Sequence, residues 1–115
     1  MSTQQILKDL EERKKPREIP KDSGVISECL MSKVTDEFLL NPGDLISRKR
    51  DAKTALARQT AMYLIRQETD CTLAEIGQML GGRTPATVSF GYQKIASDMN
   101  GSSRLKRLVA KCLEI

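Results

Sequence analysis

The stretch EIGQMLGGRTPATVSFGYQKI (residues 75–95) decides how the rest of the chain is read. Just ahead of it, Thr72 stands three residues before Glu75. That is the spacing of a capping box, in which the threonine oxygen accepts from the backbone near the glutamate and the glutamate reaches back to the cap. Leu73, Ile76, Gly77 and Leu80 supply the buried side of the helix that follows. Gly81-Gly82 ends it, because glycine takes the left-handed conformation in which helices terminate. Thr84 then caps a second helix, and Pro85 suits its first position, where no N–H is required. Val88, Gly91, Tyr92 and Ile95 recur at helical spacing and define its core face. Ala86, Ser89 and Gln93 face outward, with Thr87, Phe90 and Lys94 along a flank. Two short helices joined by a tight glycine turn make a helix-turn-helix over residues 72–98.

Working outward, Ile26, Leu30, Val34 and Phe38 recur every four residues, which predicts an upstream helix capped by Asp22 or Ser23. Asn41-Pro42 ends it and opens a short turn through Leu45 and Ile46. A basic cluster, SRKRDAK (residues 47–53), leads into a helical run over residues 52–67 with Ala57, Ala61, Leu64 and Ile65 as its apolar stripe. After NGSS (residues 100–103) a last helix carries Leu105, Leu108, Val109, Cys112 and Leu113 on one side. Arg104, Lys106, Arg107 and Lys111 take the other. Residues 1–15 read as a short charged helix with Ile6, Leu7 and Leu10 as apolar contacts, and KPREIPKDSG (residues 15–24) reads as a linker. The expected organisation is an arm and linker over residues 1–22 and a helical domain over residues 23–115. No segment alternates like a strand, so the expected fold is an all-α, multi-helix bundle containing a helix-turn-helix.

Composition narrows the function. The 115 residues carry 39% hydrophobic and 30% charged side chains, two Phe, two Tyr and no Trp, so one aliphatic-cored domain is expected. There is no histidine, and Cys29, Cys71 and Cys112 are odd in number and far apart. A zinc site needs four clustered ligands, so no metal is expected and the three cysteines read as buried, reduced thiols. No nucleophile has an evident base, which argues against an enzyme, and no cofactor is expected. The start, MSTQQILKDLEERKK, lacks the apolar run of a signal peptide, and no stretch is long enough to span a bilayer.

The net charge of +4 is unevenly placed. Residues 47–66 hold six basic side chains and one acidic, whereas residues 24–46 and 67–81 are each acidic by three charges. Such blocks point to a basic face and a polyanionic partner. A helix-turn-helix offers its second helix to the major groove of duplex DNA, and small polar residues at its start let the backbone approach base edges.

The run LISRKRDAKTALARQTAMYLIRQETDCTLAEIGQMLGGRTPATVSFGYQKI (residues 45–95) resembles the C-terminal DNA-binding domain of the bacterial replication initiator DnaA, a fold of Trp-repressor-like type. The leucine and basic cluster, the arginine before QTAMYL, T-L-x-E-I-G, G-G-R and T-V…K-I fall in register, and the likeness covers residues 24–115. The resemblance implies a double-stranded DNA partner and a cytoplasmic, nucleoid-associated protein. It also implies a recognition helix in the major groove and an arginine loop in the adjacent minor groove. Carried over by position, Arg58 matches the minor-groove arginine, with Arg48, Lys49 and Arg50 at the same loop. Arg83, Thr87, Val88 and Lys94 match positions near phosphates, Val88 only through its N–H. Thr72 and Leu73 match backbone contacts of the first helix.

The departures lie at the readout positions. Family members place Asp, His and a hydroxyl residue after G-G-R; this chain has Thr84, Pro85 and Ala86. The carboxylate that accepts from cytosine is gone, while Ala86 suits a thymine methyl. Thr84, Pro85, Ala86, Ser89 and Gln93 are therefore the expected reading head. The sequence also has no G-x-x-x-x-G-K-S/T loop, so it reads as a binding module. The alternative is a protein-interaction module that kept the fold and lost base readout, with replication or regulatory proteins as partners.

Overall fold

The helix of residues 52–68 is apolar on more than one side, and eight of its seventeen residues are buried: Thr54, Ala57, Arg58, Thr60, Ala61, Met62, Leu64 and Ile65. A helix of that kind has to sit inside, with other helices around it. The computed structural model describes residues 21–113, so the helix expected over residues 1–15 and the start of the linker lie outside them. The described residues form α1 (Lys21–Phe38), a 3-10 turn (Pro42–Asp44), α2 (Ala52–Glu68), α3 (Leu73–Met79), α4 (Pro85–Gly101) and α5 (Ser103–Leu113). Among them there is no strand, and the all-α class stands.

Helix α2 is the central post, and α1, α3, α4 and α5 all pack on it. One cluster runs through the molecule, from Leu30, Val34 and Phe38 of α1 through Ala57, Ala61, Leu64 and Ile65 to Ile76, Val88, Ile95 and Val109. Burying each large aliphatic side chain contributes about 1.5–3 kcal/mol, which the short helices need because isolated helices of this length are marginal. The α2–α4 crossing is closest at Gly91, where a Cβ would press on the Met62 sulfur and stand 3.2 Å from Gln59 Cγ. Beside it the rings of Tyr63 and Tyr92 stack with centroids 5.5 Å apart. An ion pair of 3.7 Å between Lys111 and Glu37 joins α5 to α1.

Three local expectations change. Helix α1 already includes Lys21, so Asp22 and Ser23 are helical rather than caps. Ser23 Oγ instead donates to Asp70 Oδ1 at 3.0 Å, tying α1 to the turn before α3. Ile26 is exposed and Ser27 is buried in its stead. The reason is drift: a four-residue step overshoots a 3.6-residue turn by about 40°, so three steps back from Phe38 have left the core face. Cys71 and Cys112 are buried, but Cys29 is exposed. Helix α1 ends with Leu39 at φ 55° and 84% exposed, a left-handed residue at a position that favours glycine. Among the described residues no helix is long and apolar enough to cross a membrane.

Candidate nucleic-acid interface

Helices α3 and α4 form the hinge that the sequence describes. Thr72 Oγ1 accepts from the Glu75 N–H at 3.1 Å while the Thr72 N–H donates to Glu75 Oε1 at 2.8 Å. The turn beyond α3 needs both glycines, at φ +85° for Gly81 and +83° for Gly82. They differ in surroundings. A Cβ on Gly81 would collide with the Ile46 carbonyl oxygen, whereas one on Gly82 would meet open space. Gly77 is closed too, because the Arg83 carbonyl oxygen occupies the place of its Cβ. The Gly77 carbonyl accepts from the N–H groups of Gly82 and Arg83 at 3.0 and 2.9 Å, which finishes the turn.

The chain then enters α4 through Thr84, whose Oγ1 accepts from the Thr87 N–H at 3.3 Å and lies 2.9 Å from the Thr87 hydroxyl. Pro85 follows at the first helical position. Val88, Gly91 and Ile95 are buried against α2 and α3, and Tyr92 is half-buried. Ala86, Phe90 and Gln93, at i, i+4 and i+7, form the ridge on the opposite side. Ala86 and Gln93 are exposed and Phe90 is 65% exposed. Gln93 Nε2 donates to Ser89 Oγ at 3.2 Å, which orients the amide along the ridge. Thr87 and Lys94 are exposed beside it, and Ser89 is half-buried. Phe90 is the residue that the sequence reading left on a flank. Its i+4 relation to Ala86 was the available signal.

The basic loop is fastened to this hinge by two arginines. Arg58, on α2, is buried at 8% exposure. Its Nε donates to the Leu45 carbonyl at 2.9 Å and its Nη2 to the Ser47 carbonyl at 3.0 Å. Longer contacts of 3.3 Å reach the carbonyls of Asp44 and Lys49. Arg83, half-buried at the hinge, sends Nη2 to the same Ser47 carbonyl at 2.6 Å and Nη1 to the Leu80 carbonyl. Ser47 thus joins α2, the loop and the helix-turn-helix through one oxygen, a role that nothing in its residue type announced.

The guanidinium of Arg58, the arginine matched to the minor groove, turns inward in this structure: its donors are engaged by the loop's own backbone. The exposed cations of the loop are Arg48, Lys49 and Arg50, with Lys49 paired to Asp44 at 3.4 Å. Thr72 is exposed but its N–H is taken by Glu75, and Leu73 is half-buried.

The electrostatics agree with crowding of positive charge. Burial pulls the Arg58 pKa below its ordinary value, and the neighbouring Arg83 charge pulls in the same direction. Arg83 is lowered likewise, by burial first and then by Arg48. Arg58 thus senses Arg83 and Arg83 senses Arg48, with Asp51 acting the other way on Arg58, and such crowding of positive charge favours a polyanion. At the loop's end Asp51 caps α2, accepting from the Thr54 N–H at 3.1 Å and hydroxyl at 3.0 Å. Those bonds hold its carboxyl below the usual range.

Comparison with known proteins places this architecture. The family model for the bacterial dnaA protein helix-turn-helix matches residues 27–95. The chromosomal replication initiator protein DnaA of Chloroflexus aurantiacus is 38% identical over 82 residues, covering 71% of this chain and 17% of that protein. The protein of the same name from Roseiflexus castenholzii is 40% identical over 90 residues, covering 78% of this chain and 19% of its own length. That from Thermus thermophilus is 39% identical over 101 residues, 84% of this chain and 22% of its own. The chain thus spans about a fifth of the length of the curated relatives it matches. Matched over more than half its length by that model, the chain belongs to the bacterial DnaA helix-turn-helix family.

Proposed function

We propose that this domain binds double-stranded DNA selectively by sequence, acting by binding rather than catalysis, in the initiation of DNA replication or its regulation. The observation that carries the reading is the Ser47 carbonyl held by both Arg58 and Arg83. That shared acceptor fixes the Arg48–Lys49–Arg50 loop beside the recognition helix, so two elements that approach DNA separately become one surface. The loop supplies phosphate and minor-groove contacts, where a narrow groove concentrates negative potential. Thr87 and Lys94 anchor phosphates, Arg83 fastens the loop from the hinge side, and the Thr84–Pro85–Ala86 segment with Ser89 and Gln93 faces base edges. Arg58 acts as a positioning residue that builds the loop. The relatives' name, chromosomal replication initiator, supports the assignment to replication.

The test is selection from a random duplex pool, followed by sequencing, for wild type and for Arg48→Ala/Arg50→Ala. An enriched motif for wild type, weakened across all sequences in the variant, is the expected result. Each phosphate neutralised adds roughly 0.9 to the log–log salt slope, so affinity falls steeply with salt. A slope near zero, or no duplex retained at low salt, sinks the reading. The latter result turns attention to protein partners and to the groove of about 890 Å³ that Phe38, Leu39, Leu56, Leu105 and Leu108 line.

A further inference from the structure

The recognition helix carries a reading surface of unusual chemistry for a basic domain. From Thr84 to Gln93 there is no charged side chain, although Arg83 and Lys94 bracket the segment. Guanine is read most often by arginine or lysine and cytosine by a carboxylate, and the ridge has neither. What it offers outward is Ala86, Phe90 and the Gln93 amide. Phe90 is 65% exposed, and the α2–α4 packing is filled without it by Gly91 against Met62 and Gln59 and by Tyr92 on Tyr63. Its ring therefore meets whatever approaches the ridge. The C5-methyl of thymine is the apolar group that B-DNA displays in its major groove, and a glutamine amide matches the adjacent edge of adenine.

We propose that the pair Ala86 and Phe90 reads thymine methyl groups, making Phe90 a specificity-determining residue and A·T pairs the chemistry this helix selects. The proposal rests on the DNA-binding reading above and names what that binding recognises. Four helical residues advance about 6 Å along the axis, close to two base-pair rises of about 3.4 Å. The two apolar contacts thus fall on thymines about two steps apart. Exposed cations stand on either side of the ridge: the Arg48–Lys49–Arg50 cluster, held near the hinge through Ser47, before it, and Lys94 after it. They hold the apolar crest in the groove, and they account for how a bare phenylalanine comes to lie on a basic face. Gln93, oriented by Ser89, adds the adenine contact.

The experiment uses the full chain and a duplex enriched by the selection above, made with thymine or with uracil. Uracil keeps the pairing and removes only the methyl. Wild type is expected to lose about four-fold in affinity for each contacted methyl, and so about an order of magnitude for two. Phe90→Ala is expected to bind the thymine duplex more weakly than wild type, keep its melting temperature, and lose sensitivity to one of the two methyls. Wild type indifferent to uracil overturns the proposal without any variant. Full methyl sensitivity in Phe90→Ala overturns the role of Phe90. If wild type binds no duplex even at low salt, the DNA reading fails and this proposal falls with it. Binding that is blind to methyls removes this proposal alone.

Discussion

Replacing Arg58 with methionine keeps the aliphatic stem and removes the fork that holds the carbonyls of Asp44, Leu45, Ser47 and Lys49. Two of those bonds are short, to Leu45 at 2.9 Å and Ser47 at 3.0 Å; the other contacts, at 3.3 Å, contribute less. A hydrogen bond from a charged donor contributes about 1.5–3 kcal/mol net, so the two short ones amount to about 3–6 kcal/mol. Removing a buried guanidinium relieves its desolvation, and loop carbonyls near the surface regain water, which offsets part of that sum. The expected loss is about 2–3 kcal/mol of stability, equivalent to a fall of about 15 °C in melting temperature for a domain of this size. With the loop unfastened, DNA affinity should fall about ten- to a hundred-fold, and the salt slope should drop by roughly 0.9 for each loop cation that leaves its phosphate. Arg58→Lys should recover only part of both, since one ammonium cannot span four carbonyls. Thermal melting by circular dichroism and anisotropy titrations at several salt concentrations measure these together. A methionine variant that melts like wild type yet binds DNA weakly would refute the clamp and make Arg58 a direct contact.

Three further outcomes follow from the geometry. Gly81→Ala should destabilise by about 3 kcal/mol, combining left-handed strain with the collision at the Ile46 carbonyl, whereas Gly82→Ala, with strain alone, should cost about 1 kcal/mol; urea melts giving equal values would show that the loop is not packed on the turn. The Asp51 pKa is depressed, so its ionised form adds stability that is complete above the unfolded carboxylate range and lost as pH falls through the lower folded pKa. Asp51→Asn should therefore be less stable than wild type near pH ~7 and converge with it near pH ~2, and a constant difference across that range would contradict the assignment. Burial, reinforced by Glu37, pushes the Cys112 thiol up to about 11, and Cys71 is buried as well, so a thiol reagent should label Cys29 rapidly and the other two only on unfolding. Two fast thiols would place one of the buried pair at the surface.

The turn chemistry was legible because it is local. Thr72 with Glu75, Gly81-Gly82, and Thr84 with Pro85 act within a few residues of themselves, and each occupies its expected place in the hinge. Sustained apolar spacing likewise located α2 and α4; the buried face of α4 follows from periodicity, whereas α2 also buries Thr54, Arg58 and Thr60. The face of α1 was less legible at its start, because a strict four-residue repeat departs from helical pitch and moves Ile26 outward. Cys29 was misjudged for a related reason: residue type alone does not say which face of a helix a side chain takes. The candidate site divides the same way. Exposure of Ala86, Gln93 and Lys94 could be counted off from the core residues of α4, whereas the burial of Arg58 against the loop carbonyls could not.

By itself, then, the sequence determined the all-α class, the hinge and the location of the positive charge, since caps, glycine turns, helical periodicity and charge blocks are properties of short segments. Only the tertiary structure decided which arginines turn inward to the backbone. Arg58 lies 11 residues from Ser47 and Arg83 lies 36 away, yet both donate to its carbonyl. A backbone oxygen carries no mark in the residue code, and an arginine that reaches outward is written with the same letter as one that reaches in. Packing settles the difference: when α3 and α4 close against α2, the loop is brought onto Gly81, where the two guanidiniums meet a shared acceptor, leaving Arg48, Lys49, Arg50 and the ridge of Phe90 to face outward.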